Sequence, residues 1–288
     1  MSNPFDKGVG FLPVDSLDFS INTPEQFSEE EQMFIETARE FMLREVVPHA
    51  DQLEQKDNKL MREIMVKAAD LGLCAIEIQE EYGGLGLGVT TAAIVAEEVA
   101  RDSNFATTWS AHTGIGTLPV VFFGTPEARA EVLPKSASCE WIGAYCLTEP
   151  GSGSDALAAR TQAISDGPNW KISGNKQFIT NGGFADYYVV FAQANPETHE
   201  AGRNFTGFVA RRSDGGIHPQ AEEDKLGMRG SSTTPILFDE APVTAEHMLG
   251  REGKGHRIAF GILNIGRLKL AAAAVGGIKI ALENTMAY

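Results

Sequence analysis

The chain has 288 residues, 43% of them hydrophobic, and carries a formal charge of −15. That length suggests two domains, the apolar content is ordinary for a globular protein, and the acidic balance argues against a nucleic-acid partner. No window approaches the roughly 18 consecutive apolar residues of a membrane span, so no transmembrane segment is expected. The start, Met1-Ser-Asn-Pro-Phe-Asp6, lacks the basic and apolar regions of a signal peptide. The three cysteines, Cys74, Cys139 and Cys146, show no metal-binding spacing and fit a reducing, cytoplasmic compartment. The histidines are scattered, and no metal site is expected.

The first half reads as helices. Ser28-Glu-Glu-Glu31 has the form of a capping box, and Phe34, Ala38 and Phe41 follow at helical spacing. Further helices fit Leu60 to Leu71, Thr90 to Arg101, Thr107 to Phe123, and a short one from Pro126 to Leu133. From Glu140 to about Phe238 the pattern changes to short strands separated by turn residues. Trp141 to Leu147, Tyr187 to Phe191 and Phe205 to Val209 read as strands, and Ser173-Gly-Asn175 between two short apolar runs signals a hairpin. Consecutive strands without intervening helices predict an antiparallel β domain, a small barrel or sandwich. From Gly255 the chain is helical again and apolar nearly all round, which predicts a helix buried on several sides. It reaches Tyr288 with no glycine cap or proline, so the chain is expected to be cut short inside its last domain. The expected organisation is multi-domain α+β: an extension over 1–27, a helical domain over 28–139, a β domain over 140–250, and the start of a helical bundle over 251–288.

The most informative stretch is Tyr145-Cys-Leu-Thr-Glu-Pro-Gly-Ser-Gly-Ser-Asp155. A strand ends at Pro150, which has no N–H for a ladder, and Gly151 and Gly153 free the backbone beside the hydroxyls of Thr148, Ser152 and Ser154. Such a loop suits a phosphate or the polar edge of a flat cofactor, and it equally suits a polar surface turn. Gly151 to Ala156 imitates a dinucleotide fingerprint, but the chain continues into strands where a Rossmann unit needs a helix. Walker, zinc-protease and serine-elbow motifs are absent.

Read together, EEYGGLGLG from Glu80, FGTPEAR from Phe123, the Tyr145–Asp155 stretch, Lys176-Gln-Phe-Ile-Thr-Asn-Gly-Gly183, and LGMRGSSTT from Leu226 resemble the acyl-CoA dehydrogenases over nearly the whole chain from residue 28. Within the family the sequence is most similar to bacterial relatives of the very-long-chain enzymes. The resemblance implies FAD between the β domain and the C-terminal helices, acyl-CoA as substrate, an electron-transfer flavoprotein as acceptor, and a homodimer or homotetramer. An acyl-CoA oxidase, or a scaffold without catalysis, would share the same fold. It implies that Tyr145, Leu147 and Thr148 lie along the isoalloxazine ring, that Gly153 and Ser154 serve the pyrophosphate, and that Ser154 also lies near the substrate. Phe178 would flank the flavin where many members have tryptophan, and Thr180 would bond near its N5. Arg267 matches a family arginine near the CoA portion of the substrate, which makes Asn264, Ile265, Gly266 and Arg267 candidate substrate contacts. The family reaction removes a Cα proton with a carboxylate within about 3 Å while a hydride leaves Cβ. Gly266 stands at the base position used by a minority of members, and glycine cannot act as a base. No catalytic residue is therefore assigned; the base glutamate is expected beyond Tyr288, and weak FAD binding and negligible activity are expected of these 288 residues alone.

Overall fold

The structure is a computed structural model that describes residues 23–196 and 204–288. The start Met1 to Asp6 read for a signal peptide, most of the 1–27 extension and His199 lie outside the described residues.

The capping box forms: the Glu31 amide donates to Ser28 Oγ at 3.2 Å and the Ser28 amide to Glu31 Oε2 at 2.8 Å. It opens α1 (Glu29–Phe41), followed by α2 (Ala50–Glu54), α3 (Asn58–Asp70) and α4 (Val89–Val99). Then come α5 (Ser103–Ser110), α6 (Leu118–Phe123) and α7 (Pro126–Ala137). Asp57, Asp102 and Thr125 cap α3, α5 and α7 with side-chain oxygens that accept backbone N–H groups left unpaired at a helix start. Phe41, Met65, Val95, Phe105 and Trp109 fill the core between them.

The helix expected from Thr107 to Phe123 is broken by a π-helical turn over Ala111–Gly116. Two threonines bond back to carbonyls there, Thr113 Oγ1 to Trp109 at 2.9 Å and Thr117 Oγ1 to His112 at 2.7 Å, and Pro119 has no N–H to continue the ladder.

Eight strands form one sheet among the described residues: β1 (Gly143–Cys146), β2 (Gln162–Asp166), β3 (Asn169–Thr180), β4 (Tyr187–Ala194), β5 (Phe205–Arg211), β6 (Ile217–Pro219), β7 (Thr233–Val243) and β8 (Met248–Leu249). The order is β6-β7-β3-β2-β4-β5-β8, with β1 paired to β4. The sheet is mixed rather than antiparallel throughout, because β4 pairs parallel with both β1 and β2. Among the described residues no hairpin turn joins β1 to β2, so both run the same way along β4, and β3, antiparallel to β2, intervenes before the chain returns as β4.

The hairpin expected at Ser173-Gly-Asn175 is a bulge inside the long strand β3. Gly174, at φ +152, passes so close to Thr161 that an added Cβ would lie 2.5 Å from its Oγ1. The actual turn falls at Gly167, φ +62, between β2 and β3. Arg229 and Ser231 to Thr234 lead into β7; Ser231, Ser232 and Thr234 are buried, while Arg229 reaches across to Glu54 of α2 at 2.9 Å.

The last element, α8 (Gly255–Ala287), packs its first turns on the sheet and later turns on α4. Lys269, buried, pairs with Glu77, and Lys279 pairs with Glu97. Gly276 presses on the α4 backbone, where an added Cβ would lie 2.0 Å from the Glu97 carbonyl oxygen. The expectation of burial on several sides is corrected: Leu270, Ile278 and Met286 are among the residues that leave α8 apolar and exposed on the face away from α4. By length and composition alone α8 is long and apolar enough to cross a membrane, with mean hydropathy 1.6 over an 18-residue window, but a packed helix of a globular domain passes the same test, and the described residues hold no clear transmembrane segment. Arg267 and Lys269 interrupt the unbroken apolar run that the sequence reading sought, and averaging passes over them.

Candidate functional site

Strand β1 ends in the loop of Thr148 to Asp155, and the neighbouring end of β3 carries Phe178 and Thr180. A backbone hydrogen bond joins them, Gln177 N to the Thr148 carbonyl at 2.8 Å. Beyond this point β3 loses register with β7 between Lys176 and Ile179, and Phe178 adopts φ +58. A left-handed conformation is costly for a bulky residue, at roughly 1–2 kcal/mol. The twist turns the ring outward, leaving Phe178 61% exposed.

A cavity of about 380 Å³ lies between this strand pair and the first turns of α8. It is lined by all seven residues expected to face a cofactor: Tyr145, Leu147, Thr148, Gly153, Ser154, Phe178 and Thr180. Arg267 lines it as well. Tyr145 donates its hydroxyl to the Ala259 carbonyl of α8 at 3.3 Å, so one wall residue also sets the distance between sheet and helix. Burial holds the Tyr145 phenol and the Cys146 thiol well above their usual ranges, which keeps β1 uncharged.

A second cavity, about 500 Å³ and strongly apolar, runs between α5 and α8. Thr180, Leu263 and Arg267 border both cavities, so the two are continuous in their lining. Gly266 lines the second, whereas Asn264 and Ile265 line neither. Asn264 instead accepts from Arg267 Nη1 at 2.5 Å, and Ile265 packs toward the sheet core. Ser103, Ala106, Thr107 and Ser110 form the α5 side of this groove, and sequence reasoning missed them. Their spacing of three and four was the signal, a stripe of small residues along one helix face. No Asp or Glu lines either cavity among the described residues. Glu283 lines neither and faces Arg101 at 3.4 Å.

The donor set suits a planar, polar-edged group with a phosphate tail. Flat or apolar faces come from Tyr145, Leu147 and Phe178, and hydroxyls from Thr148, Ser154 and Thr180. The hydroxyls of Thr148, Ser154 and Thr180 have no protein partner among the described residues. At Gly151 and Gly153 an added Cβ would meet nothing within 4 Å, so the loop backbone is open to a ligand.

Helices packed on a mixed sheet, with a flat-walled cavity where the sheet meets a long C-terminal helix, define a two-part ligand-binding fold. Residues 28–140 match the acyl-CoA dehydrogenase N-terminal domain and residues 144–241 the acyl-CoA dehydrogenase middle domain. A probable acyl-CoA dehydrogenase of Bacillus subtilis (strain 168) is 43% identical over 284 residues, 98% of this chain and 47% of the relative. An acyl-CoA dehydrogenase of the same organism is 37% identical over 262 residues, 91% of this chain and 68% of that one. The crystal structure of an acyl-CoA dehydrogenase complexed with FAD from Bacillus anthracis superposes with a TM-score of 0.89 at 42% identity, covering 93% of this chain and 46% of that one. The chain belongs to the acyl-CoA dehydrogenase family. It spans about half the length of the first of these relatives, 47%.

Proposed function

We propose that this chain supplies the flavin-facing and acyl-facing surfaces of an FAD-dependent acyl-CoA dehydrogenase, working in fatty-acid β-oxidation and passing electrons to an electron-transfer flavoprotein. The observation that carries this reading is the convergence, on one cavity, of the seven residues that the resemblance assigns to the cofactor, with Phe178 held outward at φ +58. Tyr145, Leu147 and Phe178 would hold the isoalloxazine ring; Thr148 and Thr180 would donate to its polar edge; Ser154 and the open backbone at Gly153 would take the pyrophosphate. When bound, FAD supplies the redox chemistry by accepting the electron pair of the oxidation. The apolar groove between α5 and α8 suits an alkyl chain, because Ala106, Leu270 and Ala273 offer only hydrocarbon there. Arg267, at the border of both cavities, would attract the anionic CoA portion.

Removing a Cα proton needs a carboxylate at the reacting carbon. Gly266 offers none, and the cavity linings hold no Asp or Glu among the described residues. Without that carboxylate the 288 residues should turn over negligibly by themselves. Titration of FAD into the purified chain, followed by flavin fluorescence, tests the reading. Saturable binding that Gly153→Val weakens is expected, since the new side chain projects into the cavity. No binding, or binding indifferent to Gly153→Val, refutes the cofactor assignment; rapid substrate-dependent bleaching of the flavin refutes the missing base.

A further inference from the structure

Lys176 and Glu149 form a buried ion pair that none of the functions above uses. Lys176 is fully buried and Glu149 nearly so, at 0% and 7% exposure. Lys176 Nζ donates to Glu149 Oε1 at 2.7 Å and to the Leu147 carbonyl at 3.2 Å. The Glu149 carboxylate also accepts the amides of Arg160 at 2.6 Å and Thr161 at 3.1 Å. Four backbone points are thus held by two side chains. They are the end of β1, the start of the glycine loop, its far end before β2, and the β3 position two residues before Phe178.

Every cofactor-facing residue is attached to one of these points. Tyr145 precedes the pin, Leu147 and Thr148 stand within it, Gly153 and Ser154 lie in the loop it closes, and Phe178 and Thr180 follow Lys176 at the register break. Burial opposes the charge on Glu149, yet the Lys176 cation and the amide donors keep its carboxyl below the usual range. Burial lowers Lys176 as well, and Glu149 counters it. A buried pair of this kind is weak evidence for stability, because desolvation offsets much of the Coulomb attraction. Its geometry has a second consequence.

We propose that Lys176 and Glu149 are positioning residues that fix the β1 loop against β3 at the spacing the flavin ring requires. The proposal rests on the reading of this cavity as the FAD site. Three variants of the 288-residue chain test it: Lys176→Met, Glu149→Gln and the double substitution. Thermal unfolding and FAD titration are measured on each, together with hydrogen exchange of the Arg160, Thr161 and Gln177 amides in the absence of FAD. Lys176→Met strands a buried carboxylate and lowers the melting temperature. The double variant removes both charges and regains part of that temperature; recovery is partial because glutamine at 149 keeps only one acceptor oxygen for the Arg160 and Thr161 amides. Its FAD dissociation constant stays at least about tenfold above wild type, a loss of about 1.4 kcal/mol, and its three amides exchange faster. Recovery of FAD affinity together with stability would mean the pair is structural only and overturns the proposal. So does unchanged amide exchange in the double variant. If Lys176→Met does not fold, Glu149→Gln and the double variant carry the same comparison. Failure of the wild-type chain to bind FAD is distinct from both: it refutes the cofactor reading, and the positioning role falls with it.

Discussion

Replacing Phe178 with glycine separates a cofactor wall from a core residue. Burying a phenylalanine completely contributes about 1.5–3 kcal/mol. With Phe178 61% exposed, truncation forfeits about 0.6–1.2 kcal/mol of that. Glycine adds an entropic cost of about 0.5–1 kcal/mol. Against both stands the left-handed backbone at φ +58, which costs an L side chain about 1–2 kcal/mol and glycine nothing. The contributions nearly cancel, so the stability of the cofactor-free chain should stay within about 1 kcal/mol of wild type. Stacking of an aromatic side chain on a flat heterocycle contributes about 1–3 kcal/mol per ring, by analogy with nucleic-acid bases, so FAD affinity should fall about five- to 150-fold. Urea denaturation by circular dichroism gives the first quantity and flavin-fluorescence titration the second. A stability loss beyond about 2 kcal/mol would show that Phe178 is a packing residue, since a core phenylalanine costs about 3–5 kcal/mol on truncation. Unchanged FAD affinity would remove it from the cofactor wall.

Two neighbouring glycines of α8 should respond oppositely. Gly276→Val meets the Glu97 carbonyl and should destabilise the chain by about 1–3 kcal/mol, seen as faster proteolysis of α8; Gly277→Ala meets nothing within 4 Å and should stabilise by about 0.5–1 kcal/mol. His247 is buried, and its Nε2 lies 3.1 Å from Glu131 without a hydrogen bond. Burial holds its pKa below the usual value, with Glu131 partly countering. The folded state then binds fewer protons than the unfolded state, whose histidine titrates near about 6.5. This contribution is present above that pH and is lost as pH falls through the folded value. His247→Gln should therefore flatten the rise of the urea midpoint between about pH 5 and 7; a steeper rise would contradict the assignment.

The helical start, the strand-rich middle and the final helix were legible because each is written in local periodicity and capping. Ser28 with Glu31 is an example, since a capping box is closed by residues three apart. What stayed hidden depends on partners far away in sequence. Gly174 reads as a turn residue until Thr161 is known to press against it, and β4 reads as one more antiparallel strand until β1 and β2 are found beside it. The site divides along the same line. The Tyr145–Asp155 loop and Phe178 announce themselves by composition and motif. The α5 stripe is only an unremarkable run of small residues until α8 crosses it to form the groove.

The exposed side of α8 sharpens this point. Its inward face carries Lys269 to Glu77 and Lys279 to Glu97, and Gly276 is in backbone contact with α4. Register and rotation of the helix are therefore fixed before any further partner is considered. Arg267 and Gly266 ride on that fixed helix at the mouth of the groove. Tyr145 ties its first turns to the cofactor strand through Ala259. Rotating α8 would move Arg267 and the apolar groove relative to Tyr145 and Phe178, so the relative position of the two cavities is set by contacts within these residues. Under the proposed function, base placement is then a separable problem: supplying a carboxylate at the Gly266 border of the groove by Gly266→Glu should raise substrate-dependent flavin bleaching more than it changes FAD affinity, and a loss of FAD affinity of about tenfold or more would refute that separation.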